Sequence, residues 1–540
     1  MTAVPTGPQQ LYEALRRALA DAGLPEHQPR LERPRQREHG DWATNVALTL
    51  AGPLGCSPRD VADLIVERLV LPADVARVDV AGPGFINFHL AHEALEDIVR
   101  RAVTEGQAWG RSGEGAGRRA HVEFVSANPT GPLHVGHGRW AAAGDAIANL
   151  LEATGWQVHR EFYVNDAGTQ LELFGASVVA AARGRPPPEG GYRGDYVVEL
   201  ADELRAAGEL SDDLAAVTDH ACRRMLARLR ATLAAFGVEF DEWFSERGLH
   251  TGGAVQATIQ RLRDSGHTYE RDGALWLHTA RFGDDKDRVL VRADGRPTYF
   301  ASDCAYLASK VARGFDRCVY LLGADHHGYV RRLQAIAAAE GLQGDRVEVI
   351  IGQLVNLWRA GEAVRMSKRT GEMVTFDELL EEVGPDAARY TYLRTSLDAT
   401  LDFDIAEVVR QERENPVYYV QYSHARIAGI MRTATERGVV PGRVGDARLE
   451  LLTHDSEEEL IRRIGAHPET VAYAAAERAP HRVARYAEEL AEAFHRFYTQ
   501  CQVVGADPDL TRSRYWLCVA TRQTLVNALG LLGVSAPERM

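Results

Sequence analysis

The chain has 540 residues, 45% of them hydrophobic, enough for a packed core and for three or four domains. Its formal net charge of −14 at pH 7 argues against nonspecific polyanion binding without excluding a local basic face. No run of 18 apolar residues occurs, and the opening residues lack the basic and apolar regions of a secretory signal, so neither a membrane span nor export is expected. Cys56, Cys222, Cys304, Cys318, Cys501 and Cys518 form no C-x-x-C pair, and no histidine cluster completes a zinc set. Reduced thiols in a cytoplasmic protein with no bound metal are therefore expected.

Residues 1–112 read as a small α+β domain. An amphipathic helix is expected over 11–22, a second over 40–51 with Asp41 as its cap, and a third from the Ser57 cap to 69. Strands are expected at 77–80 and 85–90 about the Gly82-Pro83-Gly84 turn. The run 112–117 reads as a linker.

From about 113 to 400 strands and helices alternate. A buried strand at 121–126 enters a Pro/Gly-rich turn, 127–137, and a helix follows over 139–151. A strand at 156–164 precedes Asn165-Asp-Ala-Gly168 and a helix from Thr169. The pattern breaks at 184–191, and about 177–265 reads as an insertion. Strands resume at 274–277 and 289–292 around a charged tip at 284–287, and Thr298 to Asp303 leads into a helix ending at 312. A buried strand at 318–322 runs into Gly323-Ala-Asp-His-His-Gly328 and another helix, and a strand-like run covers 347–355. Alternation on both sides of an insertion predicts a mostly parallel sheet, with its ligand across the carboxyl ends of the strands at the switch point. From 401 to 540 the pattern is helical, with helices expected at 408–428, 456–461, 481–502 and 511–532.

Two stretches carry chemistry. The first is Ala127-Asn-Pro-Thr-Gly-Pro-Leu-His-Val-Gly-His137, a strand-to-helix turn where free backbone N–H groups and the helix dipole favour an anion. His134 and His137 share one face of the first helical turn, and Gly136 leaves room for a flat ligand against the backbone. Two imidazole donors at a positive helix end suit a triphosphate. The second stretch, Arg365-Met-Ser-Lys-Arg-Thr-Gly371, lies more than two hundred residues later. Only Lys286, Lys310 and Lys368 are lysines, and the other 59 of the 62 basic residues are arginine, which makes a lysine in this stretch conspicuous.

Together the two stretches resemble the paired nucleotide-binding signatures of class I aminoacyl-tRNA synthetases. The flanking residues narrow the resemblance to the arginyl-tRNA synthetases, over nearly the whole chain. It implies a Rossmann-like parallel-sheet catalytic domain at 113–400, split by the insertion and carrying a Met-Ser-Lys loop region at about 355–400. It also implies an N-terminal tRNA-contacting α+β domain at 1–112 and a C-terminal all-α anticodon-binding domain at 401–540. The implied reaction is ATP-dependent ligation of L-arginine to tRNA(Arg) through an arginyl-adenylate, by a cytoplasmic monomer that needs bound tRNA before it activates arginine. Mg²⁺ would come with ATP, since no carboxylate cage is visible, and no tightly bound cofactor or zinc is expected.

By the same resemblance, His134, His137 and Lys368 are catalytic, and Gly136, Arg365, Met366 and Ser367 bind ATP. Glu123, Ser126 and Asn128 hold the backbone groups of arginine. Tyr299, Asp303 and His326 line its side-chain pocket, with Asp303 facing the guanidinium. Phe85 and Asn87 contact tRNA as a stacking ring and a base-edge partner, and Tyr419, Tyr422 and Arg426 stack on splayed anticodon bases. Plainer readings stand beside these: Asp303 as a helix N-cap, 82–88 as a hairpin with a core strand, and the 419–426 stripe as buried core. Residues 401–540 hold 17 arginines, no lysine and 20 acidic residues, so this end is no general polyanion sponge. The family's lysine is replaced by Arg365, which keeps the charge but not the shape of an ammonium. A cysteinyl synthetase would need a zinc site that the cysteine spacing does not offer. A small adenylyltransferase would not need the two extra domains. A noncatalytic RNA-binding paralogue would be favoured by loss of His134, His137 or Lys368, and all three are present.

Overall fold

The computed structural model describes residues 7–34, 36–326, 328–342, 346–364, 374–410, 412 and 415–540. At its centre is a five-stranded sheet whose neighbours are all parallel, in the spatial order Val347–Gly352, Arg317–Gly323, Arg119–Glu123, Gln157–Val164, Glu242–Ser245. Arg119–Glu123 is the first of these strands in the chain and lies in the middle. The chain builds one side of the sheet, then crosses to the other, and the crevice where direction reverses opens between Arg119–Glu123 and Arg317–Gly323.

The period of two in each strand divides the core. Val122, Phe162, Val319 and Leu321 pack with helix Val135–Ala153 on one face, while Cys318 and Tyr320 pack with helices Tyr299–Ala312 and Tyr329–Ala339 on the other. Alanine fills Val135–Ala153 at 141, 142, 143, 146 and 148, all buried, so the helix lies close against the sheet.

The expected insertion at about 177–265 needs correcting. Helices Thr169–Ala182, Asp195–Ala206 and Leu214–Ala235 do form a separate layer, but Glu242–Ser245 is an edge strand of the parallel sheet. Its four residues are too short for a periodic signal beside the helices around them. A three-stranded antiparallel sheet, Thr268–Arg271, Ala274–Leu277 and Arg288–Val291, follows it. The run expected at 347–355 is two strands, broken after Gly352, and Val355–Arg359 pairs in parallel with Leu401–Asp404, inside the region expected to be all helical.

At the N-terminus, strands Trp42–Thr44, Phe85–Leu90 and Val75–Ala81 pair antiparallel under the helices Gly7–Asp21, Val46–Leu54 and Pro58–Arg68. Asp41 caps no helix. It accepts from the Leu90 amide at 2.7 Å and from the guanidinium of Arg462, which ties this domain to the C-terminal helices. The expected boundary at 112 also differs from the packing. Helix His92–Glu105 buries Leu95, Val99 and Ala102 in the large core shared by the sheet and the C-terminal helices, apart from the N-terminal core. The C-terminal helices are Pro416–Glu436, Asp455–Gly465, His467–Glu477, His481–Gln500 and Pro508–Leu531. Among the described residues no helix is long and apolar enough to cross a membrane.

Candidate active site

The strand Arg119–Glu123 ends at the crevice, and the next residues turn sharply. Val125 and Ser126 take φ of 67° and 42°, a left-handed backbone unfavourable for any side chain and most of all for a β-branched one. The turn aims Ser126 at the neighbouring strand, where its Oγ accepts from the Tyr163 amide at 3.1 Å and donates to Glu123 Oε1 at 3.4 Å. Asn128 donates to Gln170 Oε1 at 2.8 Å.

His134 is the N-cap of helix Val135–Ala153. Its Nδ1 accepts from the Gly136 amide at 3.1 Å, and its own amide donates to His137 Nδ1 at 3.1 Å. The two rings stack with centroids 3.6 Å apart. A neutral imidazole that accepts at Nδ1 carries its proton on Nε2, so both rings are set as Nε2 donors at the positive end of a helix.

Arg365, Met366, Ser367, Lys368 and Gly371 lie outside the described residues. The segment that follows them is docked on the histidine turn: His134 and Thr375 form an antiparallel bridge, and the Phe376 amide donates to the Leu133 carbonyl at 2.8 Å. The Phe376 ring lies so near Gly138 that a Cβ there would meet it at 2.4 Å, so a glycine is required one residue past the histidine pair. Thr375 and Glu378 form a reciprocal capping box that starts the next helix, Phe376–Val383.

Arg139, which the sequence offers only as a helix residue, is wholly buried. It donates to the carbonyls of Gln353, Ser396 and Ala399, each at 2.8 Å, joining the helix to the loops at 353–354 and 396–399. Burial lowers its pKa to about 10, against the pull of Asp398 and Tyr392.

On the other face lies a cluster of carboxylates and tyrosines. Glu123 Oε2 accepts from Lys310 Nζ at 2.6 Å. Asp303 accepts from the Tyr329 hydroxyl. It is no N-cap: Thr298 occupies that position of helix Tyr299–Ala312, and Asp303 lies a turn further in. Burial, with repulsion from Glu123, pushes Asp303 up to about 6, against the Tyr329 hydrogen bond and Arg332. Glu246 was not singled out from the sequence, yet it is 3% exposed at the start of helix Glu246–Thr251. Burial, with repulsion from Asp303 and Asp166, pushes it up to about 7, against a hydrogen bond from Tyr163. Burial and the fields of Glu246, Asp303 and Glu123 raise Tyr163 well above its usual range, which places one phenol among three carboxylates. Tyr299 is 60% exposed and reaches across to Gly168, where a Cβ would meet its hydroxyl at 2.7 Å. His326 stands at the rim, exposed, with its ring edge-on to Tyr329 at 6.2 Å.

Among the described residues one histidine–carboxylate set has metal-ligand spacing: His159, Glu161 and Glu242. The Arg313 guanidinium already pairs with both carboxylates, at 2.9 Å to Glu242, and the Tyr306 hydroxyl donates to Glu161 at 2.5 Å.

The sites proposed at the two ends of the chain fare differently. Phe85 is half-buried at the start of its strand. Asn87 is only 4% exposed, paired between Ala43 and Asp79 on the flanking strands, and alternation puts it on the sheet face opposite the core residues Ile86 and Phe88, the face that also carries Phe85. In helix Pro416–Glu436, Tyr419 and Tyr422 are half-buried against His495, at 4.9 and 6.0 Å, and Arg426 is exposed with its guanidinium 4.8 Å from the Tyr498 ring. Tyr422, Arg426, Tyr498, Arg432 and Arg539 line a cleft of about 930 Å³, so the stripe is a half-open wall rather than core.

Three family descriptions match along the chain. Residues 9–90 match the arginyl tRNA synthetase N terminal domain, 102–183 and 195–397 the class I (R) tRNA synthetase catalytic domain, and 420–540 the DALR anticodon binding domain. The chain is 50% identical to an arginine–tRNA ligase of Frankia alni over 544 aligned residues, covering 98% of each protein. It is also 50% identical to one of Kineococcus radiotolerans, covering 95% of this chain and 94% of that protein. Among solved structures, an arginyl-tRNA synthetase of Thermus thermophilus superposes with a TM-score of 0.78 at 25% identity, over 98% of this chain and 99% of that one.

Proposed function

The chain belongs to the arginyl-tRNA synthetases, and from that premise we propose how its residues divide the work. The protein is a ligase that joins L-arginine to its cognate tRNA with ATP, by way of arginyl-adenylate, releasing AMP and pyrophosphate. The arginine carboxylate attacks the α-phosphorus of ATP and pyrophosphate leaves. The terminal ribose hydroxyl of the tRNA then attacks the anhydride carbonyl and AMP leaves. Positioning and charge stabilisation dominate such transfers.

His134 and His137 donate from Nε2 to phosphate oxygens as charge builds, and Gly136 keeps the backbone open to the nucleotide. Lys368 follows the departing pyrophosphate, assisted by Arg365. Met366 lies by the adenine, and Ser367 anchors the loop. The observation that carries this division is the bridge between His134 and Thr375, with its partner bond from Phe376 to Leu133, which holds the flank of the lysine loop on the histidine turn. Mg²⁺ arrives as the partner of ATP and supplies charge neutralisation on the triphosphate.

Asp303 and Glu246 face the guanidinium of arginine and Tyr299 covers it, with His326 at the rim. Glu123, Ser126 and Asn128 orient the carboxylate and amino group. Phe85, from the N-terminal domain, and Tyr419, Tyr422 and Arg426, from helix Pro416–Glu436, contact the tRNA. The protein works as a cytoplasmic monomer, and bound tRNA is needed before arginine is activated.

A charging assay with bulk tRNA and each of the twenty amino acids tests the pocket, and arginine alone should be attached. ATP–pyrophosphate exchange should be brisk only with tRNA present, and equal exchange without it refutes the tRNA requirement. Light scattering of the free protein should give a single-chain mass.

A further inference from the structure

Lys310 is one of three lysines in a chain that otherwise uses arginine, and it is wholly buried. It projects from helix Tyr299–Ala312, the helix that also carries Tyr299 and Asp303. Its Nζ lies 4.0 Å from the ring centre of Tyr306 and 3.8 Å from that of Tyr320, and it donates to Glu123 Oε2 at 2.6 Å. Tyr320 and Glu123 are register partners on the two strands that flank the crevice. The enclosure suits a compact ammonium between two aromatic faces, whereas a planar guanidinium would need the rings to part.

We propose that Lys310 is a positioning residue of the arginine pocket: it answers the charge of Glu123 and fixes its carboxylate, so that the other oxygen stays turned toward Ser126 and the substrate. This rests on the reading of Glu123 as an arginine-binding residue. Glu123 ends its strand two residues before the strained pair Val125 and Ser126. Its charge faces Asp303 and Tyr306 on the covering helix, Tyr163 on one neighbouring strand and Tyr320 and Cys318 on the other. Among the described residues Lys310 is the one cation in contact with it. Without that cation the Glu123 carboxylate would face Asp303 with its own hydrogen-bonded countercharge gone and nothing to fix its orientation.

The test is a cycle of three variants in the full-length protein, assayed by aminoacylation of tRNA: Lys310→Met, Glu123→Gln and the pair together. Glu123→Gln should raise the KM for arginine. Lys310→Met should raise it about tenfold to a hundredfold, as expected for losing a charged hydrogen bond, with the KM for ATP changed less than about twofold. The kcat for charging should change much less than the KM for arginine, a split that loosened packing does not produce. The pair should match Glu123→Gln alone, because Lys310 acts only through Glu123. A folded Lys310→Met with the parent's KM for arginine overturns the proposal, as does a pair about tenfold worse than Glu123→Gln. Should Lys310→Met alone fail to fold, the pair against Glu123→Gln still decides. A Glu123→Gln enzyme with the parent's KM for arginine refutes instead the reading of Glu123 itself.

Discussion

The histidine turn and the carboxylate–tyrosine cluster proposed to hold arginine lie at and just beyond the carboxyl end of one strand, Arg119–Glu123, and are built in opposite ways. The turn is one contiguous run, 127–137, whose donors are backbone amides and two neutral imidazoles locked by local hydrogen bonds. The cluster is drawn from four separated places, with Glu123, Tyr163, Glu246 and Asp303 close enough to act on one another's charge. Charge in the turn comes from geometry that is cheap to fold. Charge in the pocket comes from carboxylates that burial and mutual repulsion push up to about 6 and about 7. A site for a polyanion can be prepared with dipoles, but a site for a buried cation must store anions that resist being stored.

The largest effect should come from the polyanion side. Lys368→Ala should slow adenylate formation by roughly 10² to 10³ while leaving tRNA binding intact, and His137→Ala should fall in the same range, since each removes a donor aimed at developing charge. Single-turnover formation of arginyl-adenylate with tRNA present measures both. A loss below about tenfold for Lys368→Ala would mean that the second loop is not part of the nucleotide site.

The next prediction concerns stored charge. Glu246 in the folded protein is raised from 4.5 to about 7, so the unfolded chain binds fewer protons between those values and stability falls as pH rises through that window. Above about pH 7 the folded protein carries the full cost of the ionised group. Glu246→Gln should therefore stabilise the arginine-free protein at pH 8 by on the order of 2–3 kcal/mol, measured by urea unfolding, and should have a smaller effect at pH 5. The same variant should bind arginine more weakly. A variant that is destabilised at pH 8 would show that Glu246 has a counterion in the free protein, and the contrast between the turn and the cluster would fail.

The contrast also explains what could be read from residues alone. The histidine turn, its helix and the strand before it were legible because local rules specify them: an apolar run, a Pro/Gly turn, then helical periodicity. The alternation of the sheet was legible for the same reason. Glu246 was not, because the strand before it is four residues long and sits among helices, so its place beside Gln157–Val164 appears only once the sheet is assembled. Asp303 looked as much like a cap as a ligand until Thr298 was found at the cap position. Arg139 and Lys310 read as polar helix residues, and only tertiary packing shows both to be enclosed. Asp41 erred the other way, since a residue that looked like a helix cap is spent on the Leu90 amide and at the junction of the N-terminal domain with the C-terminal helices.

Asp303→Asn should have a smaller effect than loss of Lys368. The amide keeps the Tyr329 contact as an acceptor but loses the charge facing the guanidinium, so the KM for arginine should rise about tenfold to thirtyfold at pH 8, with kcat changed little. Because Asp303 titrates near 6, the parent enzyme should lose that advantage as pH falls below about 6, and the two KM values should converge there. Convergence tests the assignment of Asp303 as an ionised partner, and parallel profiles would assign the difference to shape alone.

The smallest effect should separate the two kinds of cation in the lysine loop. Arg365 stands where the family's usual signature has lysine, and Lys368 keeps the usual residue three positions later. If the loop contributes charge to a triphosphate from solvent-facing positions, Arg365→Lys exchanges one cation for another at a cost of at most about 1 kcal/mol, within about fivefold in adenylate formation. If Arg365 instead grips two phosphate oxygens with its planar fork, an ammonium cannot reproduce both bonds and the loss should exceed tenfold. In that case Arg365→Gln should be no worse than Arg365→Lys, because the fork rather than the charge was in use. The lysine variant matching the parent while the glutamine variant falls behind would show that charge alone is what this position requires.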